Sequence, residues 1–228
     1  TIDFLEAIMK IFFKGFNYSQ DGPGNRLVYH LQGCNMHCPW CSNPEGMSFT
    51  GGTEYSTEQI VQECIRSRAM FFSGGGVTFT GGEATLQWED LLEVLKQLRA
   101  ANIHTAIETN GTSPHLPEIQ KHVDYLMMDF KHYDKEVFRN FTGINIDPLL
   151  RNYEYLCGIG RQFHIRIPLI NHVNAEDPAK VTVTNDKVVT LTKEKADAAI
   201  EAKSADAVET VKVAVKKLDQ AQAKGIMH

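Results

Sequence analysis

GCNMHCPWCSN, residues 33–43, places Cys34, Cys38 and Cys41 in one short loop with Cys-x3-Cys-x2-Cys spacing. That spacing lets a single loop wrap three thiolates around one face of an iron–sulfur cubane, leaving the fourth iron open. Two other readings stand beside it: a structural zinc site with His37 or His30 as fourth ligand, and three unrelated thiols. Zinc sites normally pair two ligand clusters far apart in sequence, and no second cluster is visible here. Five cysteines, three of them within eight residues, fit a disulfide framework poorly and a reducing compartment better. Cys64 and Cys157 fall on predicted helices, at positions that read as packing.

Around this loop, residues 27 to about 170 repeat a β-rich run followed by a helical stretch, the pattern of βα units around a parallel sheet. The predicted strands are Leu27 to Leu31, Val77 to Thr80, Ile103 to Ile107, Val123 to Phe130 and Phe163 to Ile170. Ser56 and Gln59 form a capping box that opens a helix toward Arg68. Leu91, Leu92, Leu95 and Leu98 make an apolar helical stripe, and Asp147 with Pro148 reads as an N-cap and first-turn pair opening a helix through Leu156. In such a fold the carboxyl ends of the strands share one face, so their loops collect the chemistry. The cysteines follow the first strand; Thr80, Gly81, Gly82 and Glu83 end the second; Glu108, Thr109 and Asn110 end the third; Asp129 and Lys131 close the fourth. Arg166 interrupts the fifth strand, where a charged side chain requires an anionic partner.

Composition narrows the function classes. The chain has 228 residues, 43% of them hydrophobic, enough for one buried domain and a small appendage. A net charge of -5 argues against a nucleic-acid partner. No apolar run reaches the ~20 residues needed to cross a bilayer, so a cytoplasmic protein without a membrane partner is expected. All 21 aromatic residues lie at or before Phe163, whereas residues 175–228 hold eleven alanines, nine lysines and nine acids. The predicted division is therefore a core over 1–174 and an atypical hairpin and helical tail over 175–228. Thr182 to Leu191 reads as a hairpin about Asn185 and Asp186. Ser204 reads as the cap of a helix with Val208, Val211, Val215 and Leu218 on one face, stopped by Gly225.

The cysteine run, with Trp40 directly before the last cysteine, resembles the signature of the radical S-adenosylmethionine superfamily. DGPGNR at Asp21 to Arg26, QGCNMHCPWCSNPE, VTFTGGEATLQ, ETNG and MMDFK, in that order, resemble the glycyl radical enzyme activating enzymes of the pyruvate formate-lyase type over about residues 10–173. The resemblance implies an α/β fold, a partial parallel (β/α) barrel. It implies Cys34, Cys38 and Cys41 as ligands of one [4Fe-4S] cluster, with Trp40, Cys41 and Ser42 beside the adenosyl group of S-adenosylmethionine. Gly81 and Gly82 would let the backbone approach the methionine part, and Glu83 would accept from its ammonium. Glu108, Asn110, Asp129, Phe130, Lys131 and Arg166 would complete the cofactor site, with a monovalent cation near the methionine carboxylate. Asp21 would face a target peptide. The implied activity is reductive cleavage of S-adenosylmethionine to a 5′-deoxyadenosyl radical that takes a Cα hydrogen from a glycine of a partner glycyl radical enzyme. A flavodoxin- or ferredoxin-type protein would donate the electron. Alternatives are another radical reaction on a small molecule, or a degenerate metal-bearing interaction module. Glu108 departs from the aspartate that the family more often carries. After Asn174 the expected sixth strand and closing segment cannot be found, so the sixth strand is expected to be absent or replaced. Residues 195–228 instead resemble a helical segment of a bacterial small-subunit ribosomal protein.

Overall fold

The computed structural model describes residues 8–168, 170, 173, 182–183, 188–189 and 211–215. Its main sheet is built from β1 (Ile8–Tyr18), β2 (Asn25–Leu31), β3 (Thr53–Ser56), β4 (Gly76–Gly81), β5 (Thr105–Thr109), β6 (Tyr125–Asp129), β7 (Phe163–Ile167) and a late strand, β10 (Val211–Val215). The strand order is β10-β7-β6-β5-β4-β2-β1-β3. β2, β4, β5, β6 and β7 are mutually parallel, while β1 and β10 run antiparallel at either side. The result is an unclosed parallel barrel with helices on its outer face.

All five predicted parallel strands form, with shifted limits. The third starts at Thr105 and not Ile103, because the Ile103 amide is spent on the Leu98 carbonyl at the end of the preceding helix. The fifth ends at Ile167, before Pro168, which has no amide for a ladder. β1 and β3 were not predicted. β1 carries a register shift between Ile11 and Phe13 that breaks its alternation, and β3 is four residues long.

α1 (Thr57–Arg66) opens with the expected Ser56/Gln59 capping box. α2 (Trp88–Ala100) buries Leu91, Leu92, Leu95 and Leu98. A short α3 (Leu116–Ile119) and α4 (Lys135–Thr142), capped by Asp134, were not predicted. α5 (Asp147–Gly158) corrects one detail: Ile146 is the N-cap, and Asp147, the first helical residue, pairs instead with Lys135 at 3.0 Å. Pro148 sits in the first turn, where its missing amide costs nothing.

Period-two alternation decides what each sheet face does. Leu27, Tyr29, Leu31, Val77, Phe79, Ile107, Leu126, Met128, Phe163 and Ile165 pack with the helix stripes as the main core. The opposite face carries Val28, Thr78, Ala106 and Tyr125 in one register row, then His30, Thr80, Glu108, Met127 and His164, then Asp129 and Arg166. The barrel interior is therefore polar and charged toward the carboxyl ends.

In the tail, β8 (Thr182–Val183) and β9 (Val188–Val189) pair antiparallel, as the expected hairpin requires. The predicted tail helix is corrected where it is described: Val211–Val215 is a strand, paired antiparallel with β7 from Val211 opposite Ile167 to Val215 opposite Phe163. Alternating Val-Lys-Val-Ala-Val has a period of two and β-branched residues, which favour extended chain over helix. The place of a sixth strand is thus taken by an antiparallel one. The rest of the expected tail helix lies outside the described residues.

Candidate active site

The loop after β2 docks at three points. The Gly33 amide donates to the Gly46 carbonyl at 2.9 Å, and the Gly33 carbonyl accepts from the Glu83 amide at 2.7 Å. The His37 amide donates to the Thr142 carbonyl at 3.1 Å, where α4 ends in a left-handed Gly143, φ +83. The His37 ring lies so close over Gly143 that a Cβ there would collide with it. Within the loop, Cys34 Sγ accepts from the Met36 amide and Cys41 Sγ from the Asn43 amide, each at 3.4 Å.

These contacts leave Cys34 and Cys38 in a second apolar cluster, with Met36, Trp40, Phe130, Phe138, Ile146 and Leu149. Burial pushes the Cys34 thiol up to about 11 and raises that of Cys38, so a bare thiolate is disfavoured there. A coordinated iron reverses that preference, since a metal deprotonates its thiol ligand. All five cysteines are free. Among the described residues no three His, Cys, Asp or Glu side chains are grouped to hold a single ion. Three free thiols on one loop, two of them in the apolar cluster and two accepting amide hydrogen bonds at sulfur, fit a cubane, which takes each thiolate on a different iron. The Trp40 indole Nε1 is buried without a hydrogen-bond partner, and its ring packs on Phe141 with centroids 5.1 Å apart. Ser42 is exposed.

Gly81 and Gly82 have a reason of their own. A Cβ on Gly81, φ +119, would strike the backbone of His30 and Leu31, and one on Gly82 would strike the carbonyl oxygens of Gly33 and Gly46. The space beside these glycines is filled by the cysteine loop and its flanks.

Glu83 is 2% exposed, and its carboxylate is occupied by protein donors. Oε1 accepts from the Thr85 amide at 3.0 Å, from Thr109 Oγ1 at 2.6 Å and from Thr85 Oγ1; Oε2 accepts from the Asn110 amide at 2.6 Å. Burial raises its pKa against the pull of these four donors. Asn110 is likewise committed: its side chain donates to Asn35 Oδ1 at 2.7 Å and accepts from the Thr112 amide and hydroxyl at 3.1 and 2.7 Å. Asn35 donates to Thr112 Oγ1 at 3.0 Å. Asn152 on α5 clasps the same turn, donating to the Gly111 and Ser113 carbonyls at 2.7 Å each.

Two ion pairs cross the neighbouring strand ends. Arg166 contacts Glu108, the anionic partner its position requires, and Lys131 Nζ lies 2.9 Å from Asp129 Oδ2. Burial and the adjacent Asp129 push the Glu108 carboxyl up to about 8, against the pull of Arg166. Burial would lower Lys131, and the Asp129 carboxylate more than offsets it, so its pKa is raised. Phe130 packs below Lys131, against both apolar clusters.

Asp21 sits at the other end of the strands, in the turn between β1 and β2. Asn17 donates to its carboxylate, and Thr78 Oγ1 donates to its carbonyl at 2.6 Å. The turn is held by Arg26, fully buried and unremarked in the sequence beyond its place in DGPGNR. Its guanidinium donates to Thr78 Oγ1 at 2.6 Å and to the carbonyls of Val77 at 2.7 Å, Pro23 at 3.1 Å and His104 at 3.3 Å. Asn35, Thr112, Asn152 and Gly143 are not singled out by the sequence; the polar Asn and Thr residues clustered at one strand end are the available signal.

Known proteins similar to this chain identify its family. Residues 28–182 match the family described as the Radical SAM superfamily. The pyruvate formate-lyase-activating enzyme of Clostridium pasteurianum is 42% identical over 125 residues, 54% of this chain and 52% of that protein. The pyruvate formate-lyase 1-activating enzyme of Escherichia coli (strain K12) is 34% identical over 155 residues, 66% of this chain and 63% of that one. The pyruvate formate-lyase-activating enzyme of Listeria monocytogenes is 32% identical over 180 residues, 75% of this chain and 72% of that one. The chain thus spans about half the length of the first of these relatives and under two thirds of the second. With the family matched over more than half of its length, this chain belongs to the Radical SAM superfamily.

Proposed function

We propose that this chain activates a glycyl radical enzyme, as the names of its relatives suggest for them. When bound, a [4Fe-4S] cluster and S-adenosylmethionine supply the electron and the adenosyl-based radical chemistry, and the hydrogen is taken from a glycine Cα of a protein partner. The observation that carries the reading is the meeting, on one rim of the barrel, of three free thiols, two of them in an apolar cradle, with two half-buried ion pairs.

Cys34, Cys38 and Cys41 would hold three irons, and the surrounding Met36, Phe138 and Leu149 would exclude water. Trp40 would offer its ring and its buried indole N–H at the adenosyl side, with Ser42 beside it. The carbonyls of Gly81 and Gly82 would face the methionine part. Glu83 acts by position: its four protein donors make it the organiser of the rim, and it touches the cofactor only through the loops it holds. Lys131 and Arg166 carry positive charge toward the carboxylate end, and Glu108 with Asp129 offers oxygens for a monovalent cation. Asp21, held by Asn17, would line the approach of the target peptide. We also propose a reducing, cytoplasmic setting, a flavodoxin- or ferredoxin-type donor, and residues 1–174 as the catalytic core with 175–228 appended to it. No described helix is long and apolar enough to cross a membrane.

The test is anaerobic reconstitution with iron and sulfide, then addition of reductant and S-adenosylmethionine with assay of 5′-deoxyadenosine, alone and with a glycyl radical enzyme. The expected results are a brown, oxygen-sensitive protein, cofactor cleavage, and a protein-based radical signal in the partner. Cleavage with no radical in any such partner favours a small-molecule substrate. An iron-loaded chain that never cleaves the cofactor refutes the enzymatic reading.

A further inference from the structure

Three loops at the rim form a closed circuit. The cysteine loop joins the β4 loop where the Glu83 amide donates to the Gly33 carbonyl at 2.7 Å. The β4 loop joins the β5 loop where Glu83 Oε2 accepts from the Asn110 amide at 2.6 Å. The β5 loop returns to the cysteine loop through Asn110 Nδ2, which donates to Asn35 Oδ1 at 2.7 Å, and Thr112 Oγ1, which accepts from Asn35 Nδ2 at 3.0 Å. The backbone of the turn is anchored from α5, where Asn152 donates to the Gly111 and Ser113 carbonyls.

Asn35 stands directly after the first cysteine, so its side chain is the one link of this circuit that starts inside the cysteine run. Each of its amide atoms meets a complementary partner, Oδ1 a donor and Nδ2 an acceptor. Asn110 and Thr112 are 5% and 7% exposed and Asn35 is half-buried, so the bonds are partly shielded from water. We propose that Asn35, Asn110 and Thr112 form a clasp that fixes the cysteine loop relative to the β4 and β5 loops, and thereby sets where the open iron stands against the amino-acid end of the cofactor. All three are positioning residues. The inference rests on the cluster and cofactor site proposed above.

A clasp of this kind has a distinctive signature. Loosening it leaves the three thiols and their apolar cradle in place, so iron binding persists. The distance between the open iron and the chelating groups of the cofactor loses its definition, so chelation weakens. The experiment compares reconstituted full-length wild type, Asn35→Ala, Thr112→Val and the Asn35→Ala/Thr112→Val double variant. Four quantities are read: iron per chain, the electron paramagnetic resonance spectrum of the reduced protein before and after S-adenosylmethionine, the cofactor Kd, and the thermal midpoint.

Each single variant is expected to keep wild-type iron, to bind S-adenosylmethionine about tenfold more weakly, and to show a smaller cofactor-induced change in the spectrum. The double variant should lose clearly less than the product of the two single losses, because both changes open the same clasp and only the bond from Thr112 Oγ1 to Asn110 Oδ1 is lost separately. Thr112→Val keeps the shape of the side chain and so guards against a folding defect in Asn35→Ala. Unchanged Kd and spectrum in both single variants would overturn the proposal, as would losses that simply multiply in the double variant. Loss of iron in step with the thermal midpoint would also overturn it, since that marks a purely structural role. A wild-type chain that takes up no cluster sinks the site assignment itself and this inference with it, and is seen before any variant is compared.

Discussion

Replacing Glu83 by Gln isolates what the buried carboxylate does before any cofactor arrives. The amide oxygen can take the side that now receives Thr85 and Thr109, two of whose three donors are hydroxyls that can turn. The amide nitrogen then faces the Asn110 backbone N–H, held 2.6 Å from Oε2, and two donors oppose each other. The Asn110 bond is charge-assisted, and its loss costs about 1.5–3 kcal/mol; the new buried NH2 without an acceptor adds about 1–3 kcal/mol. Removing a charge from a site where burial raises its pKa returns part of that, leaving a net loss of roughly 2–5 kcal/mol. For a chain of this size each kcal/mol moves Tm by about 2–4 °C, so Glu83→Gln should melt roughly 4–20 °C lower. The assay is thermal unfolding by circular dichroism without S-adenosylmethionine, repeated with saturating cofactor. An unchanged midpoint without cofactor, combined with weaker cofactor binding, would show that the carboxylate is reserved for the ammonium and would refute the organiser role.

Three further outcomes follow from particular contacts. Ser in place of Cys34, Cys38 or Cys41 should abolish the oxygen-sensitive absorbance, whereas Ser at Cys64 or Cys157 should leave iron per chain unchanged; a zinc-only product after anaerobic reconstitution would contradict the cluster assignment. Glu108, whose carboxyl is pushed from 4.5 up to about 8, binds more protons folded than unfolded across that window. Its contribution to stability is therefore full below the lower value and is lost as pH rises toward the upper one. Urea unfolding of wild type and Glu108→Gln should show the wild type losing ground from pH 5 to pH 8 relative to Gln, and parallel pH profiles would remove the raised pKa. Ending the chain at Asn174 deletes Val211–Val215 and bares the outer edge of β7, so light scattering should rise while iron per chain holds. Loss of iron on truncation would mean that the tail supports the cysteine loop.

Much of the parallel core was legible because most of its strands are short apolar runs with β-branched or aromatic residues next to Gly, Asn or Asp, as VTFTGG and IETNG show. The cysteine spacing and the need of Arg166 for an acid were legible for the same reason: they follow from local chemistry. β1 was hidden because IMKIFFKGFNY alternates irregularly around its register shift. The fate of Glu83 was hidden for a different reason. Its four donors come from its own turn and from β5, and no spacing in the sequence shows that two loops 26 residues apart will close over one carboxylate. Nor does any spacing show that a Cβ at Gly81 would strike His30 and Leu31 and one at Gly82 would strike Gly33 and Gly46, a packing reason for glycine that stands beside any close approach of a ligand. In the tail, Val208, Val211, Val215 and Leu218 suggested a helical stripe, yet Val211 to Val215 also alternate, and pairing with an open sheet edge decided between two patterns that the sequence carries at once.

Among the described residues Phe130 is the one side chain packed against both the main core and the smaller cluster around Cys34, Cys38 and Trp40. The two hydrophobic interiors are thus distinct clusters that share this one side chain and are spanned by α5, which gives Leu149 to one and Leu156 to the other. Mutational drift within the sheet and its helices can proceed with little disturbance to the cysteine loop, and the loop can be retuned for a new potential or a new guest without destabilising the scaffold. A fold partitioned in this way is a good substrate for divergence, and position 130 is where the two histories of substitution have to agree.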